Sequence, residues 1–410
     1  MANLTNNIRP VEQANVDGKI VLVRADLNVP MDGARISDTT RISRIAPTLR
    51  HLAHRGARIV VMSHFGRPNG KASPACSLKP VTAALADILE IPVGFASDCV
   101  GENAKNAISE HGAGEAVLLE NLRFHPGEEA NETGFARQLA ALGDIYVNDA
   151  FSCCHRAHAS IEAIARLMPS FGGLSLIAEL STLDSTLRDP KRPIVALIGG
   201  AKVSSKIPTL ENLIPKMDAI IVGGGMANTF LLALGFSVGK SLAEPQLVDV
   251  ARNIVTQAEK AGCEIVLPTD VVVADEFKAG SRHCVTAIVN VPDDGMILDI
   301  GPRAIADLTS RLEHVRTLLW NGPLGAFELD PFGKATLAVA RAAGKLTQAN
   351  SLTTVAGGGD TVAALNAAGV SDQFTFVSTA GGAFLEWLEG KTLPGVAALI
   401  ESSSTNERFE

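Results

Sequence analysis

Short runs of β-branched and other apolar residues recur along the chain, and stretches with helical periodicity lie between them. This alternation is typical of βαβ units, in which helices cover both faces of a buried parallel sheet. The predicted strands of the first half are residues 20–23, 59–62, 117–119 and 145–147. The predicted strands of the second half are residues 194–198, 219–222, 265–267, 317–320 and 374–377. The pattern therefore predicts an α/β protein with two Rossmann-like domains, each a parallel sheet with helices on both faces.

A helix that connects the two domains is indicated by apolar residues at helical spacing. They are Leu174, Ile177, Leu180, Leu183 and Leu187. Prolines and charged residues interrupt the pattern directly afterwards, over residues 189–193. We therefore predict a first domain over residues 1–172, a connecting helix over residues 173–188 and a second domain over residues 189–392. A single helix is a stiff connection, so we expect hinge motion between the two lobes.

The composition excludes several classes of protein. The 410 residues include 36 basic and 44 acidic side chains, and only 4% of residues are aromatic. An acidic chain with few aromatic rings is a poor partner for nucleic acid. No apolar run approaches the ~20 residues that span a bilayer, and the first residues lack the basic start and apolar core of a secretory signal. We therefore expect a cytoplasmic protein without a membrane or nucleic-acid partner.

Cysteine and histidine spacing does not indicate a metal site. The six cysteines are scattered without a Cys-x-x-Cys pair, which argues against a disulfide framework and against a structural zinc site. The pairs His51/His54 and His155/His158 have the spacing of metal ligands, but each lies among arginines and lacks a convincing third ligand. We therefore favour packing or anion contact for these histidines.

The segments that follow the predicted strands carry the chemistry of the chain, because such sheets bind ligands beyond the carboxyl ends of their strands. In the first half these segments are rich in Arg, His, Asp and Asn: residues 24–28, 63–68, 120–123 and 148–149. In the second half all but one contain glycine: residues 199–202, 223–225, 268–270, 321–323, 357–361 and 378–382. Small residues let phosphate approach backbone N–H groups at helix N-termini. We therefore expect the first half to hold anions with side chains and the second half with its backbone.

The common nucleotide-binding motifs are absent from the sequence. It contains neither Gly-x-x-x-x-Gly-Lys-[Ser/Thr] nor Gly-x-Gly-x-x-Gly, which weakens the case for a P-loop enzyme or a dinucleotide dehydrogenase. On these observations alone, another small-molecule kinase or a dehydrogenase on paired Rossmann-like domains stays open. So does a two-lobed binding protein that closes on an anion.

Taken in order, the strand-end segments resemble those of the phosphoglycerate kinase family. The matching segments are residues 23–30, 40–42, 63–68, 118–124, 148–151, 155–158, 199–206, 223–226, 319–323, 357–361 and 378–394. They cover essentially the whole chain. The resemblance implies a glycolytic phosphotransferase that passes the acyl phosphate of 1,3-bisphosphoglycerate reversibly to Mg-ADP, giving 3-phosphoglycerate and Mg-ATP. It also implies a monomer whose two lobes close for an in-line transfer.

By the same resemblance, the first domain binds 3-phosphoglycerate or 1,3-bisphosphoglycerate. The implied substrate-binding residues are Arg24, Asp26, Asn28, Arg41, His64, Arg67, Arg123 and Arg156. Arginine suits this task, since its planar group donates several hydrogen bonds to a carboxylate or phosphate. We expect Asp26, Asn28 and His64 to contact the glycerate and to orient the arginines, and we expect Asp26 not to act as a base.

The second domain is implied to bind Mg-ADP or Mg-ATP. The implied nucleotide-binding residues are Gly200, Ala201, Lys202, Lys206, Asn321, Pro323, Gly325, Glu328, Gly359, Asp360 and Thr361. Within this set, Glu328 matches the ribose contact and Asp360 matches the contact to Mg²⁺ in the nucleotide complex. The residues implied to stabilise the transferring phosphoryl group are Arg41, Lys202, Gly381 and Gly382. Such a reaction depends on alignment and charge stabilisation and needs no nucleophile or general base on the protein.

Two departures from the family pattern stand out, and one further expectation concerns the C-terminus. The chain has Ser152-Cys153-Cys154 where many members have Gly-Thr-Ala; we expect two small, partly buried side chains there rather than a redox pair. It has Ala380 where many members have glycine, which adds a methyl group beside the expected phosphate path and could slow turnover. From the resemblance, residues 393–410 are expected to pack back on the first domain.

Overall fold

The computed structural model describes residues 7–33 and 35–405, which form two compact units. The first unit holds the chain up to Asp184 together with Thr392 onward, and the second holds Ser185–Lys391. Residues 1–6 and 34 of the predicted first domain, and residues 406–410 of the predicted C-terminal segment, lie outside the described residues. Within the described residues, no helix is long and apolar enough to cross a membrane.

The first unit is built around a six-stranded sheet. In chain order, its helices and strands up to the second unit are β1 (Ile20–Arg24), β2 (Met31–Asp32), β3 (Arg35–Ile36), α1 (Thr40–His54), β4 (Arg58–Met62), α2 (Val81–Leu89), β5 (Val93–Ala96), α3 (Gly101–Ser109), β6 (Ala116–Leu119), α4 (Pro126–Glu129), α5 (Thr133–Ala140), β7 (Ile145–Asn148), β8 (Ser170–Gly172) and α6 (Leu174–Arg188). The boundary between the two units lies within α6. The strands lie in the order β5-β6-β4-β1-β7-β8 and all pair in parallel. The carboxyl ends of all six strands therefore meet at one edge of the sheet.

The apolar runs form the strands of this sheet because both of its faces are covered. Val21, Leu22 and Val23 of β1 are fully buried, and Ile59 and Val61 of β4 lie in the same buried core as Val21 and Val23. The four strands predicted for this half are present, each within one or two residues of its predicted bounds. The edge strands β5 and β8 were not predicted.

The second unit repeats this plan with one addition. Its elements are β9 (Ile194–Gly199), α7 (Ile207–Leu213), β10 (Ala219–Gly223), α8 (Gly225–Ala233), α9 (Val248–Ala261), β11 (Glu264–Val266), β12 (Asp270–Ala274), β13 (His283–Ala287), β14 (Met296–Ile300), α10 (Pro302–Glu313), β15 (Thr317–Asn321), α11 (Lys334–Gln348), β16 (Thr353–Gly357), α12 (Gly359–Ala368), β17 (Phe376–Ser378) and α13 (Gly382–Leu388). Six strands form a parallel sheet in the order β11-β10-β9-β15-β16-β17. The addition is an antiparallel sheet in the order β13-β12-β14, which the strand pattern did not predict.

The last helix, α14 (Pro394–Thr405), belongs to the first unit. The backbone N–H of Gly395 donates to the carbonyl oxygen of Cys154 at 3.0 Å. Glu401 forms an ion pair with Arg166 at 2.8 Å. Val396 and Leu399 are buried, so the apolar side of the helix is covered.

The prediction of two α/β domains, each with a helix-covered parallel sheet, is confirmed.

Candidate active site

The strand ends of the first unit bring together a cluster of cationic and polar side chains. Arg24 is the last residue of β1, His64 lies two residues beyond β4, and Arg123 lies in the turn after β6. Arg24, His64 and Arg123 are all buried, although arginine and histidine are mostly exposed in proteins. Burial of this much cationic surface requires partners for each group.

Arg24 is held by a network that reaches far along the chain. Its Nε donates to Ser160 Oγ at 2.8 Å, and its guanidinium also donates to the carbonyl of Ala25. Ser160 in turn donates its hydroxyl to Glu128 Oε1 at 2.6 Å and its backbone N–H to Glu128 Oε2 at 3.0 Å. Burial raises the pKa of Glu128, while the positive charge of Arg24 and the Ser160 donors oppose that rise. The network therefore fixes a fully buried guanidinium before any substrate arrives.

His64 is neutral at physiological pH. Burial and the neighbouring Arg24 guanidinium hold the pKa of His64 well below its usual value. Arg24 Nη2 lies 3.2 Å from His64 Nδ1, and because a guanidinium can only donate, Nδ1 accepts and the imidazole proton belongs on Nε2. His64 can therefore donate one hydrogen bond from Nε2 to an anion without adding positive charge.

Asp26 is ionised and already engaged. Its carboxylate forms an ion pair with Arg41 and accepts the hydroxyl of Ser152 at 2.5 Å. Burial on its own would raise the pKa of Asp26. Neighbouring positive charge and the hydrogen bond from Ser152 instead lower this pKa to about 2. Because His64 is neutral, the positive charge comes from Arg41. A carboxylate with so low a pKa is a poor proton acceptor, so the geometry gives Asp26 the task of orienting Arg41.

The other residues implied for the substrate differ in how far neighbouring groups hold them. Asn28 Oδ1 accepts the backbone N–H of Gly66 at 2.9 Å, and Arg123 Nη1 donates to the carbonyl of Gly66 at 2.8 Å. Arg156 Nε donates to the neighbouring imidazole of His155 at 3.2 Å. Arg67 is exposed and makes no hydrogen bond or ion pair with any residue that the structure describes. Its guanidinium is therefore available to an incoming anion.

The thiols and the second histidine pair in this region are not arranged for redox or metal chemistry. Cys153 and Cys154 are both buried, and burial raises the pKa of each thiol. Burial and the positive charges of Arg123 and Arg24 lower the pKa of His158 to about 3. The two thiols are buried more deeply than the sequence predicts, and His158 lies among arginines with its Nδ1 3.8 Å from Glu128 Oε1.

The second unit holds its candidate site together through Asn321, at the end of β15. Lys206 Nζ donates to Asn321 Oδ1 at 2.6 Å, and Asn321 Nδ2 donates to the carbonyl of Gly357 at 2.7 Å. The hydroxyl of Thr361 accepts the backbone N–H of Gly322 at 2.7 Å. Three strand-end segments, those that follow β9, β15 and β16, are thereby tied together.

Glycine has different structural explanations at two positions of this site, Gly322 and Gly359. Gly322 has φ +94°, and a Cβ there would lie 2.1 Å from the carbonyl oxygen of Gly199, so packing alone requires glycine. Gly359, the first residue of α12, has no positive φ and no atom within 4 Å of such a Cβ. Internal packing does not explain Gly359, whereas room for a ligand at the backbone does.

Several of the implied nucleotide residues are exposed and ready for contact. Lys202, Glu328 and Asp360 are exposed, and Asp360 lies in the first turn of α12. Gly381 precedes α13, which begins at Gly382, and no atom lies within 4 Å of the position that a Cβ would take there. Ala380 is buried, so its methyl group is covered by protein. The implied positions Gly200, Ala201, Pro323 and Gly325 lie in the loops after β9 and β15.

Sequence reasoning missed the residues that support this site. Ser160 and Glu128 hold Arg24, yet they lie 136 and more than 100 residues away from it in sequence, inside or beside helical segments. Ser63 Oγ accepts the backbone N–H of Leu27 at 2.9 Å and so shapes the loop after β1. Ser160 and Glu128 belong to no short motif, so only the fold reveals them, whereas Ser63 lies in the strand-end segment 63–68 without having been singled out.

Comparisons with known proteins match the chain to one family. A family profile described as phosphoglycerate kinase matches residues 11–391. A phosphoglycerate kinase of Rhizobium meliloti is 56% identical over 385 residues, covering 94% of this chain and 96% of the relative. The corresponding protein of Sinorhizobium fredii is 55% identical over 385 residues, with the same coverage.

Solved structures give the same result. The structure of phosphoglycerate kinase from Coxiella burnetii is similar with a TM-score of 0.88 and 40% identity, covering 96% of this chain and 99% of that chain. The crystal structure of phosphoglycerate kinase from Pyrococcus horikoshii has a TM-score of 0.81 and 29% identity, covering 97% and 99%.

Proposed function

The chain belongs to the phosphoglycerate kinase family, and on that premise we propose how its residues divide the work of phosphoryl transfer between 1,3-bisphosphoglycerate and ADP. The observation that carries the proposal is the buried Arg24–His64 pair beside the Arg41–Asp26 ion pair, at one edge of the first sheet. A coupled assay with 3-phosphoglycerate and ATP tests the activity of the purified protein. Absence of turnover in that assay would contradict phosphoryl transfer between these substrates as the activity of the protein.

We propose that the first unit binds the phosphoglycerate with its fixed cations. Arg24, His64 and Arg123 are buried and oriented, whereas Arg67 is exposed and unpaired among the described residues. The buried groups suit the carboxylate or acyl phosphate, which must be aligned for reaction, and exposed Arg67 suits the distal phosphate. Ser152 and Asp26 keep Arg41 oriented toward the same end of the sheet.

We propose that the second unit binds the nucleotide with backbone and exposed side chains. Lys206 is fixed by Asn321 near the ends of β9 and β15, and Lys202 extends from the same loop as an exposed cation. Both can neutralise nucleotide phosphates. Glu328 is exposed and is proposed to accept the ribose hydroxyls.

The residues of the second unit also fit a nucleotide-bound Mg²⁺. Magnesium in such sites is usually held by one or two carboxylates and the phosphates of the substrate. Asp360 is exposed and has no hydrogen-bond or ion-pair partner among the described residues, so its carboxylate is available. Bound there, the ion would neutralise charge on the phosphate oxygens. Asp360 would hold it while Lys202 and Lys206 contact the remaining oxygens.

We further propose that the two units approach each other when both substrates are bound. The residues implied for the two substrates lie in different units, while transfer requires the reacting oxygen and phosphorus to come within roughly 3 to 3.5 Å. Scattering with both ligands should show a smaller radius of gyration than scattering with either ligand alone. An unchanged radius in all ligand states would contradict closure.

A further inference from the structure

Within the described residues, two clusters share the same set of metal-ligating side chains: one aspartate, one histidine and one cysteine. The first is Asp26, His64 and Cys153, in the candidate active site. The second, which we name the Asp98 cluster, consists of Asp98, Cys99 and His125. In each cluster the ligand atoms lie within 4.8 Å of one another. The clusters differ in their surroundings, and that difference decides which can bind a cation.

The active-site cluster is blocked by arginine. Arg24 contacts both His64 Nδ1, at 3.2 Å, and Cys153 Sγ, at 3.8 Å. Asp26 is paired with Arg41. Guanidinium groups therefore contact all three donors, and their positive charge repels a divalent cation.

The Asp98 cluster has the opposite electrostatic environment. Among the described residues, no arginine or lysine forms an ion pair with Asp98. Its ionic partner among these residues is His125, whose Nε2 lies 2.7 Å from Asp98 Oδ1. A carboxylate without a lysine or arginine partner favours a cation that neutralises it.

The geometry of the Asp98 cluster also provides access and support. Asp98 and His125 are part-exposed at 39% and 32% of their side-chain surface, whereas Cys99 is buried at 1%. A soft sulfur donor therefore lies beneath two harder donors that solvent can reach. His125 stacks on Phe135 with ring centroids 5.1 Å apart, and the backbone N–H of Cys99 donates to Asp98 Oδ1 at 2.7 Å. These contacts hold two of the three ligands in place.

We propose that Asp98, Cys99 and His125 form a binding site for a thiophilic divalent cation, with Zn²⁺ as the best match. Zinc accepts carboxylate, thiolate and imidazole ligands together, and three protein ligands leave a fourth position for water. His125 Nε2 lies 2.7 Å from Asp98 Oδ1, so the metal takes the place of the proton between them. On binding, Cys99 releases one proton to solvent, and the imidazole coordinates through Nε2 with its proton on Nδ1.

Cobalt(II) absorption tests the site, because a cobalt–thiolate bond gives a charge-transfer band in the near ultraviolet that carboxylate and imidazole ligands do not. Reduced full-length protein without a histidine tag is titrated with Co²⁺ and then with Zn²⁺. We expect a thiolate band that saturates at one Co²⁺ per chain and that Zn²⁺ removes. Cys99→Ser should abolish the band, and His125→Phe, which keeps a ring against Phe135, should weaken Co²⁺ binding by at least about tenfold.

Two control variants separate this site from the other thiols. Cys284→Ser removes an exposed cysteine, and Cys153→Ser removes the thiol of the arginine-blocked cluster. Both variants should retain the full band. Absence of the band in the unmodified protein, its persistence in Cys99→Ser, or its loss in either control would overturn the proposal. These outcomes are independent of the coupled kinase assay, which uses neither Co²⁺ nor Zn²⁺.

Discussion

The two candidate half-sites use opposite means to hold anions. In the first unit, charged side chains are buried and connected: Arg24 is 1% exposed, and the Glu128 carboxylate behind it is fully buried. In the second unit, Lys202, Glu328 and Asp360 are exposed, while Asn321 holds the part-buried Lys206 and joins the strand-end backbone segments. Preorganisation therefore resides in side-chain networks in one unit and in loop backbone in the other.

This difference has an energetic consequence. A buried charge is costly unless it is paired and hydrogen-bonded, so the first half-site depends on every member of its network. Exposed charges contribute little to folding, so the second half-site can lose them with little change in stability. Variants of the two half-sites therefore separate effects on folding from effects on substrate binding and turnover.

The largest expected effect is a loss of kcat when Arg41 is replaced. Arg41 lies in the first unit and is oriented by Asp26, and a contact made mainly in the transition state raises kcat rather than lowering KM. Arg41→Ala should lower kcat by about 10³ to 10⁵, by comparison with arginine fingers of other phosphoryl-transfer enzymes. Steady-state kinetics with both substrates measure this.

Arg41→Lys is the matched variant, because it keeps the charge and loses the planar donor set. We expect it to recover only part of the rate. Near-normal kcat in Arg41→Ala, with only a raised KM for 3-phosphoglycerate, would make Arg41 a substrate-binding residue and not a catalytic one.

The next largest effect is on stability of the first unit. Glu128→Gln removes the buried carboxylate that faces Arg24 through Ser160 and should lower the free energy of unfolding by about 3 to 5 kcal/mol. The neighbouring Glu129 is the control: its ion pair with Arg123 at 3.3 Å is partly exposed, so Glu129→Gln should cost less than about 1 kcal/mol. Urea unfolding of both variants measures the difference, and equal losses would show that burial does not distinguish the two carboxylates.

The third effect is on nucleotide affinity alone. Gly359→Ala places a methyl group in open space at the start of α12, where alanine is tolerated by the backbone. We expect an unchanged melting temperature and roughly tenfold weaker Mg-ADP binding, which corresponds to about 1.4 kcal/mol. In Gly322→Ala, by contrast, the new methyl group meets a carbonyl oxygen, and the melting temperature should fall. Unchanged Mg-ADP affinity in Gly359→Ala would remove this position from the nucleotide site.

The same contrast between local and long-range contacts explains what could be predicted from sequence. The central strands were predicted because their apolar runs are long, as in residues 194–198 of β9. Strands β5 and β8 are short, contain glycine and lie at sheet edges, so they carry little periodic signal. β16 was not predicted, because it begins with two threonines that interrupt the apolar run. The predicted strand 374–377 begins two residues before β17.

The candidate site follows the same rule. Arg24 and His64 stand at strand ends of the first sheet and Asn321 at a strand end of the second, so strand order alone places each at the binding edge of its own sheet. The partners of Arg24, Ser160 and Glu128, come from segments with no motif, and the Asp98 cluster joins ligands from two separate loops. No spacing rule in the sequence could have connected these residues, because their proximity is a product of the tertiary fold.

The smallest expected effect is a difference in pH dependence between two aspartates of the first unit, buried Asp149 and part-buried Asp26. Burial raises the pKa of Asp149 to about 7, even though Thr48 and the first turn of α6 donate hydrogen bonds to it. An unfolded aspartate has a pKa of about 3.9. Between that pH and about pH 7, Asp149 therefore keeps its proton in the folded protein and has lost it in the unfolded chain. The stabilising contribution of Asp149 is therefore complete below about pH 4 and is lost as the pH rises through 7.

Calorimetry of Asp149→Asn at pH 5 and pH 8 tests this sign. The melting temperature of Asp149→Asn should change less between these two pH values than that of the unmodified protein. The expected reduction is a few degrees, since each kcal/mol of stability shifts the melting temperature by about 2 to 4 °C. Asp26, whose pKa is lowered to about 2, contributes stability that is complete above about pH 4 and is lost only as the pH falls toward 2. Asp26→Asn should therefore lower the melting temperature equally at pH 5 and pH 8. An identical pH dependence in Asp149→Asn and the unmodified protein would contradict the account of Asp149.

The division of labour between the two units is tested most directly by calorimetric titration of one variant from each with both ligands. Arg67→Ala removes the exposed guanidinium of the first half-site, and Gly359→Ala fills the open space of the second. We predict that Arg67→Ala binds 3-phosphoglycerate at least about tenfold more weakly and Mg-ADP normally, while Gly359→Ala shows the reverse. Weakened binding of both ligands in either variant, or a loss on the opposite ligand, would contradict the assignment of one substrate to each unit.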